Sequence, residues 1–244
     1  MSQNLLLLSN SALFGRGYLE HALGAIAEFL GDERIVHFAP FALADHTGYT
    51  ARVQATLASL GVSVVGLHAE QDARRAVQAA AVLFVGGGNS FRLLKALQQR
   101  GLLETVRRRV GEGGLRYLGS SAGTNMACPT LRTTNDMPIV QPASFEAFGL
   151  LPFQINPHYV DPQPNSTHMG ETREQRIQEF LEENDVPVLG LREGAWLRQR
   201  GPVLRLEGDT GARLFRRGVD PRELEPDTDL SWLLDVPVRF DRPD

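Results

Sequence analysis

Short apolar runs alternate with longer segments of helical periodicity through the first half of the chain. The apolar runs, which predict buried strands, are residues 5–8, 35–38, 62–67, 82–85 and 117–118. The segments between them, which predict helices, are residues 18–30, 50–60, 73–80 and 91–110. Such alternation is typical of a mainly parallel sheet covered by helices on both faces. We therefore predict an α/β fold with three layers.

The pattern changes in the C-terminal part of the chain. Residues 194–206 alternate around Arg200-Gly201-Pro202, and residues 208–215 follow after another turn, which predicts antiparallel hairpins and a mixed sheet. Residues 141–165 are rich in Pro, Phe and Asn and are interpreted as an ordered loop. Since 244 residues with 42% hydrophobic content can bury one full core, and no repeat or linker is visible, we expect a single domain over residues 1–244.

Composition narrows the range of partners and chemistries. A net charge of -4 without a basic run argues against nucleic acid or a membrane surface, and favours a small molecule or peptide. The single cysteine, Cys128, excludes an internal disulfide and indicates a reducing compartment. The six histidines lack metal-binding spacings, so no metal is expected. Because the N-terminus lacks a basic leader and no later run approaches a membrane span, we expect a cytoplasmic protein.

Residues 116–123 (RYLGSSAG) have the pattern of a strand that enters a Gly-x-Ser-x-Gly turn. Ser121 has Gly119 and Gly123 two residues away on either side, whereas Ser120 has no such flanks. Such a strained turn presents a nucleophilic serine, and a Cβ at either flank would collide with the neighbouring strand or helix. An ordinary glycine-serine loop would show the same letters, so partner residues are needed to support catalysis.

A nucleophilic serine requires a base, and the base requires a group that orients it. His158 follows Pro157 at the end of an apolar run, which suits a catalytic base and equally a histidine packed at a strand end. Asp136 would give the order Ser, Asp, His of α/β-hydrolases, or would be a turn residue. Glu193 follows the apolar residues 186–191, at a predicted strand end, or would pair with an arginine. The sequence leaves both acids open.

Residues 86–89 (GGGN) follow the fourth predicted strand without matching either nucleotide-binding signature. Acyl transfer needs backbone N–H donors for the developing oxyanion, one of them usually from the residue after the nucleophile. Ala122 and Gly88 are our candidate donors. Asn89 is a further candidate for substrate contact, although with Ser90 it could simply cap the next helix.

Seven motifs occur in an order that resembles the peptidase E family of α-aspartyl dipeptidases, serine peptidase family S51. The resemblance covers roughly residues 5–200 and rests on SNSALFGRGYLEHA, GGGNSFRLL, GSSAGTNMA, TTNDMPI, INPHY, GETREQRI and LREG. It implies a cytosolic, dimeric serine peptidase that cleaves dipeptides with an N-terminal aspartate, on a fold similar to class I glutamine amidotransferases. The family's nucleophile falls on Ser121, its histidine on His158, and its acid on Asp136 or Glu193. The family often has tryptophan where this chain has Ser120.

The implied substrate adds a requirement for a cation, because an aspartyl side chain must be matched in charge. Arg173, within residues 170–176, is our candidate, although an arginine at a helix start could also pair with a neighbouring glutamate. No cofactor is expected. Two other functions stay open: a peptidase similar to cyanophycinase, and a noncatalytic ligand-binding module of amidotransferase-like fold. The presence of Ser121, His158 and both acids favours an enzyme.

Overall fold

A computed structural model describes residues 3–162 and 169–242, which contain two β-sheets and seven α-helices. The strands are β1 Asn4–Leu8, β2 Ile35–Ala39, β3 Ser63–Gly66, β4 Val82–Val85, β5 Arg116–Ser120, β6 Gln154–Tyr159, β7 Val188–Arg192, β8 Ala195–Arg200, β9 Val203–Gly208, β10 Ala212–Arg216 and β11 Val219–Leu224. The helices are α1 Leu23–Leu30, α2 His46–Leu57, α3 Ala73–Ala79, α4 Ser90–Gln99, α5 Leu102–Gly111, α6 Ala122–Ala127 and α7 Arg173–Glu183.

The larger sheet has seven strands in the order β3-β2-β4-β5-β1-β8-β9. Its first five strands are parallel, and β8 and β9 extend it as an antiparallel hairpin. The predicted mixed, mainly parallel sheet is therefore confirmed. The carboxyl ends of β4 and β5 are neighbours, so the turn at Ser121 and the loop of residues 86–89 lie on the same edge.

Helices cover both faces of the larger sheet, as predicted. Side chains of α1 and α2 share one buried cluster, while those of α3, α4, α5 and α6 share another on the opposite face. The predicted helix over residues 91–110 is in fact two helices, α4 and α5, because the chain turns at Gly101. No helix within the described ranges is long and apolar enough to cross a membrane.

A second sheet, with four strands in the order β11-β10-β7-β6, was not predicted. One expectation is corrected here. Residues 141–165, interpreted as a loop, contain β6, whose continuous burial and internal Pro157 hide the alternation of a strand. Residues 208–215 contribute β10, which forms an antiparallel hairpin with β11, as predicted, and also pairs with β7 in this second sheet. Residues 163–165 of the predicted loop lie outside the described residues.

Candidate active site

Ser121 lies at the turn between β5 and α6, with φ 54° and ψ −111°. Such a backbone conformation is strained for any residue other than glycine. A Cβ on Gly119 would lie 2.7 Å from the carbonyl oxygen of Gly123, and a Cβ on Gly123 would lie 2.0 Å from that of Val85. Both glycines are thus required by close contacts with the helix and the adjacent strand, as the sequence pattern predicts. The neighbouring Ser120 is fully buried.

His158 contacts Ser121 and Glu193 at the same time. Its Nε2 lies 2.8 Å from Ser121 Oγ, and its Nδ1 lies 2.6 Å from Glu193 Oε1. This geometry places a proton on Nδ1, shared with the carboxylate, and leaves Nε2 free to accept from the serine hydroxyl. The three side chains form a hydrogen-bonded series between three separate segments of the chain.

A bulge in β6 directs the His158 side chain towards Ser121. Pro157 pairs with Leu191 and Tyr159 pairs with Arg192, so His158 is the extra residue between two paired positions. Its φ is 53°. A bulge bends the strand and changes the direction of a side chain. The imidazole therefore leaves the regular strand pattern and lies at the strand end, beside the last residues of β7.

Asp136, the other candidate acid, has a different partner. Its Oδ2 accepts hydrogen bonds from the Ser90 amide at 2.7 Å and from the Ser90 hydroxyl at 2.6 Å. The carboxylate thus lies at the N-terminal end of α4, where an anion is favoured by the helix dipole. Of the two acids that the sequence left open, Glu193 contacts His158 and Asp136 does not.

Sequence reasoning missed Ser9 and Asn10, which join the segments of the site. The buried Ser9 Oγ accepts from the His158 amide at 2.9 Å and donates to the Leu191 carbonyl at 2.8 Å. Asn10 Oδ1 accepts from the Gly194 amide at 2.9 Å. These side chains fix the backbone on both sides of the histidine-glutamate pair. Their signal was two polar residues immediately after the apolar strand β1, at the edge where site residues collect.

The loop of residues 133–138 supports β6 from the other side. Asn135 Nδ2 donates to the Pro157 carbonyl at 2.7 Å, and Thr133 Oγ1 donates to the Ile155 carbonyl at 2.9 Å. Asn156 Nδ2 in turn donates to Asn135 Oδ1 at 2.7 Å. The loop that carries Asp136 is therefore attached to the strand that carries His158.

The loop of residues 86–89 borders Ser121. A Cβ on Gly87 would lie 3.0 Å from the Ser121 Cβ. Gly88 has φ 130°, and a Cβ there would lie 2.7 Å from the Ala42 carbonyl oxygen. That carbonyl accepts from the Asn89 amide, while no carbonyl of the described chain accepts from the Gly88 amide. Gly88 can thus offer a free N–H near the serine.

Asn89 was predicted to contact substrate, but its side chain is engaged within the protein. Its Oδ1 accepts from the Arg92 amide at 3.0 Å and caps α4, and its Nδ2 donates to the Met137 carbonyl at 2.8 Å. It is absent from the described lining of the cavity at the serine. The position of Asn89 therefore matches the other interpretation given above, that of a residue that caps α4.

A cavity of about 580 Å³ opens at Ser121 and His158. Gly88, Asp136 and the predicted cation Arg173 also line it. Arg173 is the first residue of α7 and lies partly buried. Burial and repulsion from Arg176 lower its pKa, against an opposing attraction from Asp136. The cavity thus presents a cation and an anion close together beside the serine.

A serine, a histidine and a carboxylate hydrogen-bonded in series at the strand ends of an α/β sheet form the arrangement of serine hydrolases. Comparison with known families agrees with this class. Residues 5–206 match the model of peptidase family S51. The chain belongs to peptidase family S51 and is a hydrolase of peptide bonds.

Two curated relatives span nearly the full chain. Peptidase E of Streptomyces coelicolor (strain ATCC BAA-471 / A3(2) / M145) is 62% identical over 238 residues, 98% of this chain and 98% of the relative. A probable alpha-aspartyl dipeptidase of Drosophila melanogaster is 48% identical over 235 residues, 96% of this chain and 98% of the relative.

Among solved structures, a peptidase from an acI-B1 Actinobacterium superposes with a TM-score of 0.66 at 18% identity, covering 94% of this chain and 97% of that chain. A putative peptidase E protein from Listeria monocytogenes EGD-e gives a TM-score of 0.65 at 22% identity, covering 86% of this chain and 100% of that chain. At these identities the likeness concerns the fold.

Proposed function

We propose that this protein is a serine dipeptidase that hydrolyses dipeptides with an N-terminal aspartate. The observation that carries the proposal is the hydrogen-bonded series Ser121, His158 and Glu193. Ser121 and His158 line a cavity that Arg173 and Asp136 also line. The first three residues can perform acyl transfer, and the last two can bind the charged groups of an aspartyl residue.

In the proposed reaction Ser121 Oγ attacks the aspartyl carbonyl carbon while His158 Nε2 takes its proton. Glu193 holds the Nδ1 proton and stabilises the imidazolium that forms. His158 then protonates the leaving amine, and the C–N bond breaks to leave an acyl-enzyme. The His158 and Glu193 side chains are 38% and 48% exposed, so water can reach the ester. His158 deprotonates that water as its oxygen attacks the ester carbon, and the imidazolium then returns the proton to Ser121 Oγ as the ester C–O bond breaks and aspartate is released.

The negative charge on the carbonyl oxygen requires donors that are already in place. We assign the amide of Ala122, directly after the nucleophile, and the amide of Gly88. The free N–H of Gly88 and the closeness of its loop to Ser121 support this assignment. Because Gly88 has a positive φ and lacks space for a Cβ, a side chain there would move the donor.

Substrate recognition follows from the charges of the cavity. We assign the aspartyl β-carboxylate to the guanidinium of Arg173, whose fork matches a carboxylate. We assign the α-ammonium group to Asp136; the sequence alone did not identify an acceptor for this group. Ser90 holds Asp136 in place through two hydrogen bonds. An N-terminal aspartate carries both of these charges on one residue, whereas asparagine lacks the anion.

The test is the release of free amino acid from Asp-Leu, Glu-Leu, Asn-Leu and β-Asp-Leu. We expect selective cleavage of Asp-Leu. Ser121→Ala and His158→Ala should each lower kcat by at least about 10³-fold, since the three residues act as a unit. Arg173→Met should reduce the preference for Asp-Leu over Asn-Leu.

Ser120→Ala is a matched control, because Ser120 is adjacent, buried, and has no hydrogen-bond partner for its hydroxyl within the described chain. It should retain activity. If Ser120→Ala abolished cleavage and Ser121→Ala did not, the assignment of the nucleophile would be wrong. Cleavage of β-Asp-Leu instead of Asp-Leu would favour the cyanophycinase-like alternative.

A further inference from the structure

A second arginine, Arg52, lines the cavity at Ser121, and the sequence analysis assigned no role to it. Arg52 of α2 lines it together with Ser121 and Arg173. Its guanidinium forms no ion pair with a carboxylate of residues 3–162 or 169–242. An arginine without an internal partner at the wall of a substrate cavity can bind an anionic group of the substrate.

Arg52 and Asp136 reach the cavity from opposite faces of the large sheet. Tyr49 and Val53, which flank Arg52 on α2, are buried in the cluster that α2 shares with α1. Asp136 is bound by the first residue of α4, which packs into the cluster on the other face. The Asp136 carboxylate and the Arg52 guanidinium therefore approach the serine from different sides, and the charge of Asp136 acts on Arg173.

Two tyrosines connect Arg52 with the glycine loop beside the serine. The hydroxyls of Tyr18 and Tyr49 lie 3.2 Å apart, and both residues line the cavity. Burial raises the pKa of both phenols, and the positive charge of Arg52 acts on both in the opposite direction. A Cβ on Gly86 would lie 2.5 Å from the Tyr49 hydroxyl. Arg52 is thus placed near the tyrosine pair, and Tyr49 lies beside the loop that carries Gly88, one of the two proposed oxyanion donors.

This arrangement fixes the direction of the substrate. With the aspartyl side chain and α-amine at Arg173 and Asp136, the residue that leaves must extend from Ser121 towards the other side of the cavity. A dipeptide ends there in a free carboxylate. We propose that Arg52 binds the C-terminal carboxylate of the substrate and so selects dipeptides over longer or C-terminally blocked peptides. This inference rests on the proposed dipeptidase function.

The test removes the charge from each partner in turn. The substrates are Asp-Leu and Asp-Leu-amide, and the enzymes are wild type, Arg52→Met and Arg52→Lys. The value of kcat/KM is measured for each enzyme with each substrate. Wild type should prefer Asp-Leu by about 10- to 100-fold, the value of one charge-assisted interaction at a partly exposed site. Arg52→Met should lose most of this preference through a fall in kcat/KM for Asp-Leu, and Arg52→Lys should restore part of it.

Arg75→Met serves as the matched control. Arg75 is exposed on α3, forms no ion pair within the described residues, and does not line this cavity. It should keep the wild-type preference. Asn-Leu is included because Arg52 and Arg173 could exchange roles. If Arg52→Met removed discrimination between Asp-Leu and Asn-Leu while keeping that between acid and amide, the inference would be overturned.

The outcomes separate this inference from the function on which it rests. Cleavage of Asp-Leu and Asp-Leu-amide at equal rates by wild type overturns the inference and leaves the dipeptidase function standing. An equal fall for both substrates in Arg52→Met also overturns it, because the loss would then be independent of the carboxylate. Absence of Asp-Leu cleavage by wild type overturns both.

Discussion

Glu193 Oε1 lies 2.6 Å from His158 Nδ1, across the ends of the two parallel strands β7 and β6. The two residues are 35 positions apart in the chain. Their contact depends on the bulge at His158 and on the hydrogen bonds by which Ser9 and Asn10 fix the adjacent backbone. Glu193 and Asp136, between which the sequence could not choose, therefore have different environments: Glu193 contacts His158, and Asp136 contacts Ser90.

Replacing the two acids should therefore give different kinetic effects. Glu193→Gln should lower kcat for Asp-Leu by about 10²- to 10⁴-fold, because an amide no longer holds the required histidine tautomer. Asp136→Asn should act mainly on KM, by weakening the binding of the α-ammonium group. Steady-state kinetics of both variants measures the difference. A larger fall of kcat in Asp136→Asn than in Glu193→Gln would contradict the assignment.

The turn at Ser121 should not tolerate a methyl group. Gly123→Ala would place a Cβ 2.0 Å from the Val85 carbonyl oxygen, so we expect a loss of about 1–3 kcal/mol in the free energy of unfolding. Gly24→Ala is the control, since no atom lies within 4 Å of the added Cβ in α1. It should stabilise the protein by about 0.4–1 kcal/mol. Urea denaturation of both variants tests this, and equal midpoints would count against the argument.

Cys128 should be unreactive in the folded protein. Burial raises the pKa of its thiol to about 12, so almost no thiolate exists at neutral pH, and the side chain is shielded from reagent. We expect no alkylation by iodoacetamide at pH 8 under native conditions and complete alkylation in denaturant. Mass spectrometry measures both. Rapid labelling of the native protein would show that the thiol is accessible.

Arg192 should contribute stability that depends on pH. The Arg192 guanidinium donates to Asp161 at 2.7 Å and also pairs with Glu223. These two ion pairs connect the segment that follows His158 to the second sheet. Hydrogen bonding to Arg192 lowers the pKa of Asp161 in the folded protein. The ion pair therefore contributes its full stability above the pKa of Asp161 in the unfolded chain. This stability is lost as the pH falls through the lower pKa of Asp161 in the folded protein.

The comparison is between wild type and Arg192→Met in urea denaturation from pH 7 down to about pH 2, well below the usual pKa of aspartate. The variant should be less stable at pH 7, and the difference should shrink as the pH falls below about 4. Arg75→Met should follow wild type throughout. A constant difference across this range would mean that Arg192 acts through packing.

The sequence by itself determined the features that are encoded locally. The alternation of apolar runs and helical segments specified the parallel sheet with helices on both faces, because burial of each element imposes its own period. The glycines around Ser121 specified the strained turn, because their requirement arises within a few residues. The ordered motifs were sufficient to indicate the family.

The tertiary structure alone decided the relations between distant segments. It selected Glu193 as the partner of His158, placed β6 and β10 in a second sheet, assigned Asn89 to a helix cap, and brought Arg52 to the cavity. Each of these depends on which strand ends and helix faces become neighbours. Hydrogen bonds and ion pairs depend on distances of a few ångströms, and pairing between segments far apart in the chain sets those distances.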